Sequence, residues 1–563
     1  MSTISTGTVT TAGTTTYVSG ASSGIDTDAL VTAGYEAKLA SADKVDVKIT
    51  SNEAIIAAYE ELQTLGTALT TALESLKTTY GYSSADESVY TTREAYLATS
   101  DGGDVDSYLS ITVDDNADQS SYSIVIEQLA TAIKVNSDGQ SSKTDALGME
   151  GSLSLYLDGY TSVELSISTD MSLEDIADSI NSLSDSTGVS ATIIKKSDTE
   201  YALVVSGTET GESLHYSSTS GTDIFLTLGI TDESGEFASV IQSAQDAIIY
   251  IDGMEITSSS NTIEDVLEGV TLTLYSVPAT SNTTITLEVD YDYSGTKEAI
   301  QSFIDAYNDI RDFFITQQAA NSDDSVLYSD TLLRTMVSSI YSIINNSFGS
   351  SDTVATLADM GITFDDENKL EISDEDLLNS VLLDNYQDVQ SLFQTSLVTD
   401  ADNLKVLRNT STQSELAFSL EIEVDSDGNI TSVSANGDTS AFTVSGTRLI
   451  GAEGTSYEGI TLVYAGTEST TISVGLSQGL ADSLYNLINN YTNTTSSIVQ
   501  DKINSLADWN DTLQIKSDRI KDRAETYRAF LIEKYSAMEA AISSANSLLK
   551  QVQAILGTDS SDD

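Results

Sequence analysis

Two stretches decide the reading of this chain: residues 55–80, IIAAYEELQTLGTALTTALESLKTTY, and residues 499–556, VQDKINSLADWNDTLQIKSDRIKDRAETYRAFLIEKYSAMEAAISSANSLLKQVQAIL. In the first, Ile55, Tyr59, Leu62, Leu69, Leu73, Leu76 and Tyr80 recur at steps of three, four and seven, which places them on one face of a helix. Gly66 falls on the same face, where the missing side chain lets a second helix approach closely. In the other, Val499, Ile503, Leu506, Leu513, Ile520, Ala524, Tyr527 and Leu531 lead on through Tyr535, Met538, Ile542, Ala545, Leu549, Val552 and Leu556. This is heptad spacing with one irregularity around Tyr527 to Tyr535. A seam that long cannot bury itself within one helix, so it requires partner helices. The helix over residues 55–80 is the first candidate, and any unpaired remainder needs other subunits or a chaperone. Periodicity alone leaves a self-contained bundle equally open. The residues expected to carry an assembly interface are Ile55, Tyr59, Leu62, Leu69, Leu73 and Leu76, with Ile503, Leu506, Leu513, Ile520, Tyr527, Leu531, Met538, Ile542 and Leu549.

Working inward, residues from about Val89 to Tyr293 read as strands. Ser121 to Val135, SYSIVIEQLATAIKV, opens with the alternation of a half-buried strand. Between Gly151 and Gly211, SLSLYLDG and SVELSIS precede a short helix in MSLEDIADSINSL, then SATIIKKS and EYALVVS. Asp246 to Tyr275 runs similarly, with DAIIYIDGMEI, an acidic helix start in NTIEDVLEGV, and TLTLY, which suggests an internal repeat. Helical periodicity returns after Gly295 in KEAIQSFIDAYNDIRDFFITQ, Asp330 to Asn346 and Asp374 to Phe393. A second β-rich insertion follows at Ser396 to Ser473, with turns in DSDG at Asp425 and EGTSYEG at Glu453. The expected fold class is multidomain α+β: a helical coiled-coil stalk built from both termini and the central helices, carrying inserted β-rich head domains. The expected divisions are a flexible leg over 1–45, stalk over 46–84, heads over 85–295 with a nested module at 140–243, central helices over 296–395, a β insertion over 396–475, and C-terminal helices and leg over 476–563.

Composition narrows the function. A chain of 563 residues, 40% hydrophobic, is long enough for about three or four cores. It has no cysteine, which removes disulfides, thiolate nucleophiles and zinc-thiolate sites together. Its one histidine, His215, reads as a loop residue in the polar stretch Thr208 to Gly221. The formal charge of −63, from 87 acidic and 24 basic residues, repels phosphates and anionic membranes, so nucleic acid is not an expected partner. The acids are scattered, as on a solvated surface that assembles more easily where salt screens repulsion. Residues 1–24 lack the basic start and apolar core of a cleaved signal peptide, and no run of about eighteen apolar residues is present to span a membrane.

Candidate chemistry is thin. Glu423, Asp425, Asp427 and Gly428 space like the opening of a calcium loop, but the twelfth position holds Ser434, so a hairpin turn is the better reading. Asp101, Asp104, Asp106, Asp114 and Asp115 read as a solvated loop, and no pair of acids is singled out for glycoside hydrolysis. Phosphate-binding, dinucleotide and nucleophile-elbow motifs are absent. Trp509 reads as an interface or core aromatic. No catalytic residue, cofactor or metal is expected.

Several blocks, in order, carry a resemblance. GIDTDALV at Gly24 to Val31, SYSIVIEQLATA, NTIEDVLEGVTLTL at Asn261 to Leu274, LADMGITFDDENKLEISDEDLLNSV at Leu357 to Val381, GLADSLYNLINNYT, and EKYSAMEAAISSANSLLKQ with Tyr535 in an aromatic position together resemble the flagellar hook-associated protein 2 family, the filament caps. The Gly151 to Gly211 module is similar to an insertion motif shared with flagellins. Asn368 stands where the family's turn glycine is expected, a mild departure because Asn tolerates left-handed turns. The resemblance implies a non-enzymatic cap at the distal filament end, secreted through the flagellar export channel, that helps flagellin fold and polymerise and prevents its loss. It implies a homo-oligomeric ring of about five or six subunits, with flagellin, hook–filament junction proteins and an export chaperone as partners, and no membrane insertion. Rival readings are another flagellar junction or filament protein, an acidic surface adhesin and a carbohydrate-active enzyme.

Overall fold

The computed structural model describes residues 9–12, 15–18, 22–80, 88–115, 117–280, 282–320, 324–348, 353–411, 413 and 415–558. The chain mixes helix and sheet in two units, residues 1–82 with 297–563 and residues 83–296. In chain order the helices are α1 Thr27–Glu74, α2 Leu173–Asn181, α3 Ser184–Thr187, α4 Ile224–Thr227, α5 Tyr293–Gln318, α6 Thr331–Ile344, α7 Glu375–Asp384, α8 Tyr386–Phe393, α9 Leu480–Thr492 and α10 Ile498–Thr558.

In the first unit, α1 starts where Asp26 accepts from the Ala29 amide at 3.0 Å, satisfying one of the free donors of the first turn. Residues 27–45, expected as part of a flexible leg, are therefore the opening turns of a 48-residue helix. The misreading has a physical cause. The inward face here is built from buried Val31, Ala42 and Val45 and half-buried Gly34, residues that leave little hydrophobic contrast along the sequence. Asp330 caps α6 in the same way, accepting from Leu333 at 2.9 Å. The helical run from Asp374 to Phe393 divides at Asn385 into α7 and α8. The turn at Asn368 takes a positive φ of 58°, as its side chain allows, and Asp365 accepts from the Glu367 and Lys369 amides around it.

The insertion in this unit forms two antiparallel four-stranded sheets. One runs Ser396–Thr399, Thr470–Ser477, Glu415–Val424, Ile430–Ala435, and the other Leu404–Asn409, Ile460–Tyr464, Arg448–Gly451, Phe442–Ser445. Alternate residues such as Leu420, Ile422, Leu449 and Leu462 fill the core they share. Asp425 accepts from the Asp427 and Asn429 amides, so the acidic run closes a hairpin.

The second unit has two cores. A five-stranded sheet, in the order Met254–Ser258, Ala247–Ile251, Ser120–Gln128, Ile285–Tyr291, Arg93–Thr99, shares one with a three-stranded sheet of Thr262–Leu267, Val270–Leu274 and Leu109–Val113. The other core, around Leu153, Leu157, Ile176, Leu203 and Phe225, packs α2 and α4 with two further sheets. A capping box between Ser172 and Asp175 starts α2. The expected repeat does not hold past its hairpins. Where the first copy places α2, NTIEDVLEGV is a strand pair, Thr262–Leu267 with Val270–Leu274. Asp265 takes φ 60° and the register shifts between Ile263 and Leu267, so these two face the core while Asp265 between them is exposed. That spacing imitates a helix in the sequence. His215 lies on a strand, Leu214–Gly221, rather than in a loop, stacked on Tyr156 and 2.5 Å from Asp158.

Candidate assembly seam

Every seven residues α1 presents Val45, Asn52, Tyr59, Gly66 and Leu73, and α10 presents Ile503, Asn510, Ser517, Ala524 and Leu531. The two helices run antiparallel, as the cross-contacts record: residues rising along α1 meet residues falling along α10. Gln63 donates to Gln500 at 3.1 Å, Asn52 to Asn510 at 2.8 Å, and Ser517 to Asp46 at 2.5 Å. Lys521 pairs with Asp46 at 2.9 Å and Tyr35 donates to Glu525 at 2.6 Å. Nearest the start of α1, the Ser22 and Ser23 amides donate to Glu539 at 2.9 and 3.1 Å, and the Ser23 hydroxyl donates to the same carboxylate. Polar pairs in heptad positions cost some stability but penalise a slipped register, since any shift leaves them unpaired.

Glycines set the closest approaches. A Cβ on Gly66 would lie 2.3 Å from Thr492 Oγ1 of α9, and one on Gly34 would lie 2.7 Å from Leu531 Cδ1. The base of the bundle is tied by Asp482, which is buried on α9. Its carboxylate accepts from the Thr78 hydroxyl at 2.6 Å, the Thr395 amide at 2.7 Å and the Thr395 hydroxyl at 3.1 Å. Residues just past α1, just past α8 and early in α9 thus meet at one side chain.

The electrostatics differ along the seam. Burial pushes the Asp482 carboxyl up, against the hydrogen bonds that favour its charge. The Ser517 hydrogen bond, helped by Lys521, holds Asp46 below the ordinary carboxyl range. Glu539 is held down chiefly by Ser23. Burial, with Asp330 as hydrogen-bond acceptor, raises the Tyr59 phenol.

Of the interface residues read from the sequence, Tyr59, Leu62, Leu69, Leu73, Leu76, Ile503, Leu513 and Leu531 are buried. Ile55, Leu506, Ile520, Met538 and Ile542 are half-buried, and Tyr527 and Leu549 are exposed. The irregularity near Tyr527 has a cause: Leu531 and Ile532, adjacent in sequence, both pack on Val31, so the buried stripe shifts by a residue. Trp509 is 54% exposed and is not a core residue. Beyond Ile542 the seam finds no cover among the described residues, with Leu548, Leu549 and Val552 all at least half exposed. Sequence reasoning missed the polar pairs, although Asn52, Asn510 and Ser517 fall in phase with the apolar heptads. Among the described residues no three His, Asp or Glu side chains are grouped to hold a metal ion, and no helix is long and apolar enough to cross a membrane.

Residues 244–547 match the profile of the flagellar hook-associated protein 2 C-terminus, residues 23–133 that of its N-terminus, and residues 152–209 the flagellin hook IN motif. The lateral flagellar hook-associated protein 2 of Vibrio parahaemolyticus is 30% identical over 286 residues, 48% of this chain and 62% of the relative. That of Salmonella typhimurium is 33% identical over 229 residues, 38% of this chain and 47% of the relative, so the chain spans less than two thirds of either. The Escherichia coli protein is 30% identical over 381 residues, 64% of this chain and 77% of the relative. Among solved structures, the D1-D2-D3 domains of the flagellar cap protein FliD from Escherichia coli align at 23% identity over 80% of this chain and 99% of theirs, with a TM-score of 0.47.

Proposed function

The chain belongs to the flagellar hook-associated protein 2 family, and on that premise we propose that it is a structural cap at the distal end of the flagellar filament, where it promotes flagellin folding and polymerisation and prevents flagellin loss. The role is mechanical rather than catalytic. In this reading α1 and α10 form a coiled-coil stalk, the β-rich parts form heads, and copies assemble into a ring at the filament tip outside the cell. Flagellin and the hook–filament junction proteins are its partners there, and an export chaperone covers the C-terminal helix beforehand.

The observation that carries this reading is the distribution of burial along α10. From Val499 to Ile532 its inner face is spent on α1, whereas among the described residues nothing covers Leu548, Leu549 and Val552. A helix whose last turns expose large apolar side chains has surface to offer a neighbour, which a self-contained bundle does not need. Deleting the gene is expected to abolish filaments while flagellin monomers accumulate in the medium. Normal filaments in the deletion strain would refute the assignment.

A further inference from the structure

Six of the chain's 24 Lys and Arg residues fall between Lys516 and Lys534, with four acids among them, in a chain whose formal charge is −63. Two of the six act within the chain, Lys521 on Asp46 at 2.9 Å and Arg528 against Glu525 at 3.6 Å. Lys516, Arg519, Arg523 and Lys534 are exposed and form no ion pair among the described residues. Trp509 and Phe530, each 54% exposed, join them. Trp509, Lys516, Arg523 and Phe530 succeed one another at steps of seven, and Arg519 and Lys534 lie three and four residues along, so the six share one stripe of α10. It is a different stripe from the one that meets α1 through Ile503, Asn510, Ser517 and Leu531.

The complement stands on α1. Glu36, Asp43, Glu53, Glu60 and Glu61 are exposed and form no ion pair among the described residues. Two copies carrying this much negative charge repel wherever acid meets acid. Only a locally basic surface lets them approach, and an exposed Trp and Phe set among Arg and Lys supply the residue types that anchor interfaces.

We propose that the stripe from Trp509 to Lys534 of α10 docks on the outward acidic face of α1 in a second copy of this chain. Because the donor stripe and the acceptor face are different surfaces of one helix pair, the contact is heterologous. Each copy takes one neighbour and offers itself to another, so the series continues until the rotation closes a ring. The inference deepens the capping reading by naming the surfaces through which copies meet, and rests on that reading for the ring.

The test uses the full chain and sedimentation at about 0.15 M salt. One variant carries Lys516→Glu, Arg519→Glu, Arg523→Glu and Lys534→Glu, a second carries Glu36→Lys, Asp43→Lys, Glu53→Lys and Glu60→Lys, and a third carries all eight. Each of the first two is expected to self-associate about tenfold more weakly or worse, with helical content by circular dichroism unchanged, while the third regains self-association. Mixing the first two restores association at a one-to-one ratio, because each retains the natural partner of the other's intact surface and the two altered surfaces complement each other. Folded single-side variants that associate like the wild type, a folded eightfold variant that stays monomeric, or a wild type that is monomeric at every concentration overturns the contact. If the charge swap behaves as expected but the gene-deletion strain still makes normal filaments, the contact stands and the capping reading falls. If filaments need the protein but the swap fails, the contact alone falls.

Discussion

A carboxylate buried under three chain segments is an unusual fastening. Asp482 gains hydrogen bonds from Thr78 and Thr395, and Tyr80 adds a bond from its hydroxyl to Thr395 at 3.2 Å, so each segment loses a partner if the acid is removed. Asp482→Ala is expected to cost about 2–3 kcal/mol, since it leaves buried donors unpaired, read as a fall in the melting temperature of the helical unit. Burial raises this carboxyl's pKa. By linkage its contribution is fully present below the ordinary aspartate value and is lost as pH rises through its raised one. The wild type is therefore expected to gain stability relative to Asp482→Asn as pH is lowered from 7 towards about 4. Gly66 tests packing at the same scale. Alanine improves helix propensity by up to about 1 kcal/mol, but its Cβ would be driven against Thr492, an overpacking cost of about 1–3 kcal/mol. Net destabilisation is expected for Gly66→Ala, partly relieved in the double variant with Thr492→Gly. An additive double variant would show that the contact does not limit the approach.

At the scale of elements, the α1–α10 pair combines an apolar seam with carboxylate clamps. Asp46 and Glu539 are held low by the groups that bridge the helices. Their contribution is present above the ordinary carboxyl values and is lost as pH falls through the lowered ones, the opposite sign to Asp482. Asp46 lies near solvent, so its effect is small and local, whereas Glu539 is buried against Ser22 and Ser23. Amide hydrogen exchange, corrected for intrinsic rate, is expected to show the first turns of α1 and their partners on α10 opening below about pH 4, while amides of the sheet insertion keep their protection. The variant with Asp46→Asn and Glu539→Gln should lose that pH dependence. If it opens along the same profile as the wild type, the clamps are not what holds this part of the pair.

For the whole molecule, the cores divide the consequences of truncation. Ending the chain after Leu480 removes α10 and nearly all of α9, stripping cover from Val31, Val45, Leu62 and Leu69. The sheet insertion and the second unit keep cores of their own. The truncated chain is expected to retain strand content and a cooperative melt while failing to restore filaments in a deletion strain. Truncated chains that still support filaments would remove the helical seam from the mechanism.

What the sequence by itself determined was the set of faces. Hydrophobic spacing located α1 from Ile55 to Glu74, the long C-terminal helix, α5, α6 and the strand hairpins, because in each the buried side carries large apolar residues at a constant period; it ran the first helix on through Leu76 and Tyr80, which lie past its end at Glu74. It went astray where that contrast was weak or the period was borrowed. The small-residue face of α1 before Val45 read as a leg, and the bulged strand at Ile263 to Leu267 read as a helix. Only the tertiary structure decided which faces meet. Asn52 with Asn510, Asp46 with Ser517 and Lys521, and Thr78 with Asp482 and Thr395 lie hundreds of residues apart, and period carries no information about partners. Pairing is chosen by the joint cost of leaving polar groups unmatched and of crowding Gly34 and Gly66, and that cost exists only once the helices are side by side.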